Sequence, residues 1–124
     1  MRKIVKCSLV PLSIMVLLNL TPAAHAASVL DNVCDPGEIC LWANPNFTGR
    51  MLTFFPGDKA NLTDWNYNDQ MSSWRNRTNI NGTWWEQVHG TWFNPCHNLY
   101  ANSSASSVSP DNSASAIEIA GGTC

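Results

Sequence analysis

The sequence lacks the residue patterns of common metal sites and hydrolases. It contains no Cys-x-x-Cys pair, which structural zinc sites usually need, and no His-Glu-x-x-His motif. Glu86 and His89 stand three residues apart, but the second histidine of a zinc peptidase is missing. No serine or cysteine has a nearby base in a recognisable catalytic frame. These absences argue against an enzyme.

Basic residues are scarce after residue 26. Four of the seven Lys and Arg residues lie there together with all nine Asp and Glu residues, which gives this part a net charge of −5. A net negative charge argues against nucleic acid or an anionic membrane as the partner. It is compatible with the binding of a cation.

A helical period is absent as well. No window of eleven residues after position 27 places its apolar residues on one helical face. Short apolar runs alternate instead with Gly, Pro, Asn and Asp, which indicates an all-β sandwich with Greek-key connections. Residues 101–115 have the Ser-rich composition of a linker, but the apolar residues after them would hold this segment to the sheet. The predicted strands are 39–43, 50–55, 72–76, 83–88, 91–93, 99–101 and 116–120.

The first 26 residues have the organisation of a secretory signal peptide. A basic start precedes an apolar run at residues 9–20, and Ala24-His25-Ala26 offers small residues where a signal peptidase cleaves. The run is shorter than the roughly 20 residues of a membrane span, and a proline and an asparagine interrupt it, which argues against an anchor. Cleavage after Ala26 would release one domain, residues 27–124, as a secreted, extracellular monomer with no membrane attachment.

Four cysteines remain after residue 26, and an even number in an exported domain predicts two disulfides. Three pairings are possible. We expect Cys34–Cys40, which would enclose the turn at residues 35–38, and Cys96–Cys124, which would hold the C-terminal residues. Loop-closure entropy gives about 2.5 kcal/mol of stability for the shorter loop and about 3.5 kcal/mol for the longer one.

Two oxygen-rich stretches resemble each other. The first, Asn68-Asp69-Gln70-Met71-Ser72-Ser73, has two carbonyl or carboxylate side chains, two free positions and two hydroxyls. Residues 102–107 repeat this arrangement 34 positions later. Hard oxygen donors of this kind suit a cation such as calcium, whereas the alternative is that these residues are turn formers that bond to their own backbone. The candidate calcium ligands are Asn68, Asp69, Ser72, Asn102 and Ser106.

Residues 42–49, Trp-Ala-Asn-Pro-Asn-Phe-Thr-Gly, resemble the opening hairpin signature of a βγ-crystallin Greek key. The two aromatic residues would pack over the hairpin, and the glycine would take a backbone conformation that other residues resist. In that fold an oxygen-rich stretch follows in each key, and the two turns contribute calcium ligands crosswise. The resemblance implies a βγ-crystallin-like Greek-key sandwich with two Greek-key motifs in one domain, at about residues 34–78 and 79–124.

The segment from Cys34 to Trp42, on a signal-bearing chain of this size, resembles a narrower group. This group is the family of secreted bacterial metalloproteinase inhibitors that share the βγ-crystallin fold, and the resemblance covers about residues 34–120. It implies inhibition of an extracellular metalloproteinase through an exposed loop at residues 90–96. The best-known inhibitors carry another cysteine shortly before the equivalent of Cys96, and this chain has none there.

The residues of this loop allow two interpretations. The inhibitory-loop candidates are Thr91, Trp92, Phe93 and Asn94. The alternative is that Trp92 and Phe93 are strand residues packed in the core.

Six tryptophans, all after residue 26, are many for so small a domain. Several must contribute to the core. Others could form a stacking platform for a glycan, because aromatic faces suit the apolar faces of sugar rings. A glycan- or cell-wall-binding module is therefore the third hypothesis, after protease inhibition and calcium binding. The candidate platform residues are Trp65, Tyr67, Trp84, Trp85 and Trp92.

Overall fold

The computed structural model describes residues 32–124 as two β-sheets packed face to face. The predicted signal peptide and its cleavage site lie outside these residues. A 3-10 turn at Leu62–Trp65 is the one helical element within residues 32–124, and no helix there has the length and apolar character to span a bilayer. The strands are β1 (Ile39–Asn44), β2 (Thr48–Phe54), β3 (Lys59–Asn61), β4 (Ser73–Asn76), β5 (Gly82–Trp85), β6 (Cys96–Leu99), β7 (Ser103–Ala105) and β8 (Ala116–Glu118).

The two sheets exchange strands between the two halves of the chain. The first sheet has the order β2-β1-β4-β7 and the second has the order β3-β8-β5-β6. Every neighbouring pair is antiparallel. Each sheet therefore contains three strands from one half and a fourth strand from the other half. This topology confirms the predicted all-β Greek-key sandwich.

The hydrophobic core lies between the sheets and follows the alternation of side chains along each strand. In β1, Ile39 and Leu41 join the core, whereas Cys40 and Trp42 form a second cluster on the other face. Both halves of the chain contribute to the core, so neither half could bury its apolar face alone. The buried members of the core are Ile39, Leu41, Phe54, Leu62, Tyr67, Met71, Trp74, Trp84, Leu99, Ala114, Ile117 and Ile119.

The β1–β2 turn folds its aromatic side chain back onto the sheet. Phe47 has a left-handed φ of 60°, and its ring meets the Trp42 ring in an edge-on contact with centroids 5.4 Å apart. The Phe47 N–H donates to Ser73 Oγ at 3.0 Å. Gly49 has a φ of 82°, and a Cβ there would lie 2.7 Å from the side-chain nitrogen of Asn44. These contacts explain the aromatic and glycine signature at residues 42–49.

The disulfides join Cys34 to Cys40 and Cys96 to Cys124, which is the pairing expected from the sequence. The first disulfide closes the loop before β1 and packs in the cluster with Trp42. The second ties the last residue of the chain to the start of β6. The structure thus places one disulfide near the first hairpin and the other at the base of the second.

Several strand predictions differ from the structure. Residues 91–93 form no strand, and β6 lies before most of the predicted strand at residues 99–101. The sequence does not predict β3 and β7, because a strand of three residues is too short to show a clear alternation. β7 lies within the Ser-rich residues 101–115, so this segment is part of the first sheet and not a linker.

Candidate functional site

The connection between β5 and β6 carries the two most exposed aromatic side chains within residues 32–124. It comprises residues 86–95 and is called here the β5–β6 loop. Trp92 is 101% exposed, Phe93 is 78% exposed, and Thr91 is exposed beside them. The interpretation of Trp92 and Phe93 as core residues is therefore wrong. Neighbouring apolar side chains that are exposed together are a candidate binding surface.

The side chain of Asn94 closes the neck of this loop. Its Oδ1 accepts a hydrogen bond from the Gln87 N–H at 2.7 Å, and its Nδ2 donates to the carbonyls of Gln87 at 2.9 Å and Val88 at 3.3 Å. Beside it, the Glu86 N–H donates to the Pro95 carbonyl at 3.1 Å. The Asn94 side-chain amide thus replaces the backbone hydrogen bonds that a further pair of strand residues would make. Asn94 shapes the loop, and the exposed aromatic pair forms its tip.

His89 fastens one side of the β5–β6 loop to the sandwich. Its N–H donates to Asn61 Oδ1 at 2.8 Å, and its Nε2 lies 3.1 Å from the Ile117 carbonyl oxygen. Its ring also meets the Trp85 ring, with centroids 4.9 Å apart. Asn61 belongs to β3 and Ile117 to β8. The loop is therefore held by side-chain and backbone groups from both halves of the chain.

The β6 end of the loop is held by a ring stack, a polar pair and a disulfide. The His97 ring lies almost parallel to the Trp84 ring, with centroids 4.0 Å apart and an interplanar angle of 16°. His97 Nε2 is 2.8 Å from Glu86 Oε1 at the start of the loop. Cys96, the residue before His97 and the first of β6, is bonded to Cys124. A loop anchored at both ends has less conformational entropy to lose on binding.

The first oxygen-rich turn, residues 68–73, lies against a second turn closer to the C-terminus. Ser115 Oγ donates to Asp69 Oδ1 at 3.3 Å. In the reverse direction, Ser72 Oγ donates to Asn112 Oδ1 at 3.1 Å. Each turn thus places one hydroxyl beside the carbonyl or carboxylate oxygen of the other, which is a crosswise arrangement.

The backbone of the second turn, residues 111–116, repeats that of the first. The Asp69 N–H donates to the Ala114 carbonyl at 2.9 Å, and the Asn112 N–H donates to the Met71 carbonyl at 3.2 Å. Asp69 and Asn112 have left-handed φ values of 55° and 53°, a conformation that Asp and Asn tolerate better than most residues. The two turns, called here the paired turns, are therefore related by an approximate two-fold repeat.

The structure does not bring the predicted ligands Asn102 and Ser106 to the first turn. The Asn102 N–H donates to the Thr78 carbonyl at 3.0 Å, and the Ser106 carbonyl accepts from the Asn46 N–H at 2.8 Å. Both residues flank β7, whose pairing with β4 directs this segment along the first sheet. The crosswise partner of residues 68–73 is the other turn instead.

The ligands predicted from the sequence do not include Asp111, Asn112 and Ser115, although the sequence contains a signal for them. Asp111-Asn112, two free positions and Ser115 follow the same pattern, with Ala116 in place of the second hydroxyl. The second position of the pattern is left-handed in both turns, and serine is a poor substitute for Asn or Asp there. If the pattern requires Asn or Asp at its second position and does not require the final hydroxyl, it identifies residues 111–116 as the second turn.

The paired turns contain oxygen atoms of the kind that calcium prefers. The Asp69 carboxylate and the Asn112 amide oxygen each accept a hydrogen bond from a serine hydroxyl of the other turn, and all of these oxygens are hard donors. Asn68 Oδ1 is buried and has no hydrogen-bond partner within residues 32–124. A buried oxygen of this kind is costly unless a cation or a water molecule satisfies it. With a single carboxylate among these donors, the affinity for calcium would be low.

Most of the aromatic residues considered for a sugar platform are not available on the surface. Tyr67 and Trp84 are buried, and Trp85 is half-buried. Burial raises the pKa of the Tyr67 phenol, and the nearby charge of an arginine offsets only part of this effect. Only Trp65 and Trp92 of the five are exposed, so any platform would be limited to these two.

The sequence profile of peptidase inhibitor family I36 matches residues 27–99, which is more than half of the chain. The protein belongs to peptidase inhibitor family I36. The matched region contains the whole β5–β6 loop and the first of the paired turns. It begins at the residue after the predicted signal cleavage site. Membership of I36 agrees with the prediction that this protein is not an enzyme, and it makes a peptidase the class of partner.

Solved βγ-crystallin domains are similar to the I36 protein in fold. A domain solved in work on the evolution of the eye lens βγ-crystallin fold superposes with a TM-score of 0.62 at 16% identity, covering 73% of this chain and 92% of that one. A βγ-crystallin domain from Flavobacterium johnsoniae gives 0.54 at 24%, covering 69% and 98%. An archaeal βγ-crystallin gives 0.54 at 22%, covering 68% and 99%. No curated protein sequence matches the chain significantly.

Proposed function

We propose that this protein is a secreted inhibitor of an extracellular metalloproteinase and that the β5–β6 loop enters the cleft of the enzyme. The observation that carries the proposal is the full exposure of Trp92 on a loop whose two ends are tied to the sandwich. Membership of an inhibitor family supports the activity. The signal-like first 26 residues support secretion, and we expect the domain to act as a monomer.

The composition of the loop suits an apolar cleft. Residues 87–94 contain no Lys, Arg, Asp or Glu, so burial of the tip removes no permanent charge from water. Trp92 and Phe93 supply two large side chains, and aromatic residues of this kind dominate the binding energy of many interfaces. We infer a steric mechanism in which the loop occupies the cleft and blocks the substrate.

The rigidity of the neck provides the other half of this mechanism. Asn94 makes three hydrogen bonds across the loop, and His89 makes two polar contacts with the sandwich. A preorganised loop gives up little conformational freedom on binding, which raises its affinity. The sandwich thus acts as a support for the exposed pair.

The experiment is a titration of peptidases of three classes with the secreted domain, residues 27–124. A thermolysin-like metalloproteinase represents the proposed target, and a trypsin-like serine peptidase and a papain-like cysteine peptidase serve as class controls. We expect stoichiometric loss of activity for the metalloproteinase alone, and loss of this effect in the double variant Trp92→Ala, Phe93→Ala. Full activity of every peptidase at micromolar protein would sink the proposal.

We propose a second function, the binding of calcium by the paired turns. The crosswise hydrogen bonds support it, as does the buried Asn68 Oδ1, which has no hydrogen-bond partner within residues 32–124. Asn68, Asp69 and Ser72 of the first turn, with Asn112 and Ser115 of the second, would hold the ion. Sites of extracellular modules with few carboxylates bind calcium at about 10⁻⁴ to 10⁻³ M, and such a site would stabilise the domain by about 1.4 kcal/mol at ten times the dissociation constant.

A thermal melt with and without millimolar calcium tests this second function. We expect a higher melting temperature with calcium, the loss of this shift in Asp69→Ala, and a smaller shift in Asn112→Ala. Asn102→Ala is the matched control, because Asn102 lies away from the paired turns and should leave the shift intact. A melting temperature that does not respond to calcium would remove the idea.

A further inference from the structure

A shallow, open cavity of about 600 Å³ lies where β4 and β7 meet, on the side of the first sheet that faces away from the core. Its lining includes two arginines, Arg75 and Arg77, and the polar residues Asn102 and Ser104. We call it the arginine cavity. It shares no residue with the β5–β6 loop, so the proposed inhibition leaves it unused.

Arg75 lies in β4 and Arg77 directly follows it, where backbone hydrogen bonds with Glu38 and Gly37 continue the strand pairing and place both arginines on one face. Asn76, the residue between them, is buried with its side chain bonded to the Ile80 and Leu99 carbonyls. Its neighbours therefore project to the opposite side of the sheet. Ser104 stands directly across from Arg75 in the β4–β7 register.

Each guanidinium is held in place without a carboxylate. Arg75 Cζ lies 4.5 Å from the centre of the Phe47 ring, and Arg77 Nη1 donates to the Cys34 carbonyl at 2.7 Å. Neither arginine forms a salt bridge within residues 32–124. Stacking on a ring holds the guanidinium plane but uses none of its N–H donors. The side chains of Asn102 and Ser104 have no hydrogen-bond partner in the same range.

Arg75 and Arg77 differ from the other basic residues of this acidic domain. The other two basic residues after residue 26 are satisfied elsewhere, because Lys59 pairs with Glu118 at 3.4 Å and Arg50 donates to the carbonyls of Trp65 and Asn66. Half of the basic side chains of an acidic domain therefore line one cavity, and neither forms a salt bridge within residues 32–124. Glu38, whose carbonyl accepts the Arg77 N–H, uses its carboxylate to accept the Asp35 N–H instead. Two neighbouring cations repel each other, and a bound anion would relieve that repulsion.

We propose that the arginine cavity binds an oxyanion of the phosphate or sulfate class. The planar guanidinium fork matches two oxygens of such a group, and the hydroxyl of Ser104 and the amide of Asn102 offer further donors. The cavity is larger than a single ion, so it has room for part of a sugar that carries the anion. A phosphorylated or sulfated polysaccharide outside the cell and the free ion are two sources of the same chemistry.

The test is an NMR titration of the secreted domain at constant ionic strength, in which sodium chloride is replaced by sodium sulfate or sodium phosphate. We expect saturable shifts of the Arg75 and Arg77 Nε–H signals and of the Ser104 amide. Arg75→Gln with Arg77→Gln should weaken binding at least tenfold, because two charge-assisted contacts are lost. Arg50→Gln is the matched control and should bind as the wild type does.

A second pair of variants and a polymer complete the test. Arg75→Lys with Arg77→Lys keeps both charges but loses the forks, and weaker binding by this variant supports bidentate recognition. Dextran sulfate compared with neutral dextran distinguishes the sources, since tighter binding of the sulfated polymer than of free sulfate supports a polysaccharide and equal binding supports the free ion. Shifts no larger than those with chloride, or shifts that survive the glutamine double variant, would overturn the proposal. A thermal melt of each variant confirms its fold.

Discussion

The β1–β2 turn and the β5–β6 loop occupy equivalent places in the two halves of the molecule but treat their aromatic residues in opposite ways. Both join a pair of antiparallel strands, and each hairpin has a glycine with positive φ, Gly49 near the start of β2 and Gly90 in the β5–β6 loop. In the first, Phe47 lies against Trp42. In the second, Trp92 and Phe93 stand in solvent. The same kind of residue stabilises the fold at one hairpin and is free to bind a partner at the other.

The difference has a physical cause in the contacts available to each hairpin. The β1–β2 turn is short, and its left-handed residues bring the Phe47 ring onto the sheet, where Ser73 Oγ accepts the Phe47 N–H. The β5–β6 loop has ten residues, and its backbone is held at the neck by the Asn94 side chain and on one side by His89. Its backbone is thus fixed without help from the aromatic pair. The β5–β6 loop is thus tied to the sandwich at its neck and on one side, while within residues 32–124 its largest side chains are left exposed.

The largest expected effect is on stability, at the first hairpin. Trp42→Ala removes a buried ring and should lower the free energy of unfolding by about 3–5 kcal/mol. Trp92→Ala removes a ring from solvent and should change it by less than about 0.5 kcal/mol. Urea denaturation measures both values. Equal losses of unfolding free energy in the two variants would contradict the difference between the hairpins. As a control, Trp42→Phe keeps a ring and should lose less stability than Trp42→Ala.

The next largest effect is expected from the two disulfides, one near each hairpin. Replacement of both Cys96 and Cys124 by serine should lower the free energy of unfolding by about 3.5 kcal/mol. The reason is that the lost disulfide no longer closes a loop between two residues that are 28 positions apart. The same change at Cys34 and Cys40, with a separation of 6, should cost about 2.5 kcal/mol. Denaturation under non-reducing conditions gives both numbers. A larger loss at the first hairpin than at the second would contradict the loop-closure argument.

The aromatic tip should matter for inhibition and not for folding. Trp92→Ala should raise the inhibition constant against a sensitive metalloproteinase by about 30-fold or more, equivalent to at least about 2 kcal/mol for an interface anchor. Trp65→Ala is the matched control, because Trp65 is also an exposed tryptophan but lies in the 3-10 turn. An inhibition constant that rises equally in both variants would assign the effect to the general loss of a tryptophan.

A smaller effect is expected at the neck of the loop. Asn94→Ala removes three hydrogen bonds that hold residues 87 and 88, so the loop should become more mobile. We expect the inhibition constant to rise about tenfold with little change in melting temperature. Asn94→Asp keeps the oxygen that accepts a hydrogen bond and loses the nitrogen that donates, so its inhibition constant should lie between those of the wild type and Asn94→Ala. No difference between Asn94→Ala and the wild type would show that the neck does not position the tip.

The two hairpins also differ in how far the sequence predicts them. The β1–β2 turn follows from local chemistry, because Trp42, Phe47 and Gly49 lie close together in the sequence and specify the turn among themselves. The β5–β6 loop does not, because Thr-Trp-Phe at residues 91–93 has the composition of a buried strand. The contacts that keep it out of the sheet come from distant residues, such as Asn61 and Ile117.

The paired turns are predictable from the sequence to an intermediate extent. Residues 68–73 are identified by their own pattern, and the hydroxyls and oxygens there are close in the sequence. The partner turn at residues 111–116 has an alanine in place of the final hydroxyl, while residues 102–107 imitate the pattern with serines. Only strand pairing decides between them, because β7 takes residues 103–105 into the first sheet.

Hydrogen exchange of the secreted domain, with and without a sensitive metalloproteinase, tests the central claim most directly. The backbone amides of residues 87–94 should exchange more slowly in the complex, while those of residues 44–48 in the β1–β2 turn should be unchanged. Protection of the β1–β2 turn or of the paired turns, with the β5–β6 loop unaffected, would contradict the account.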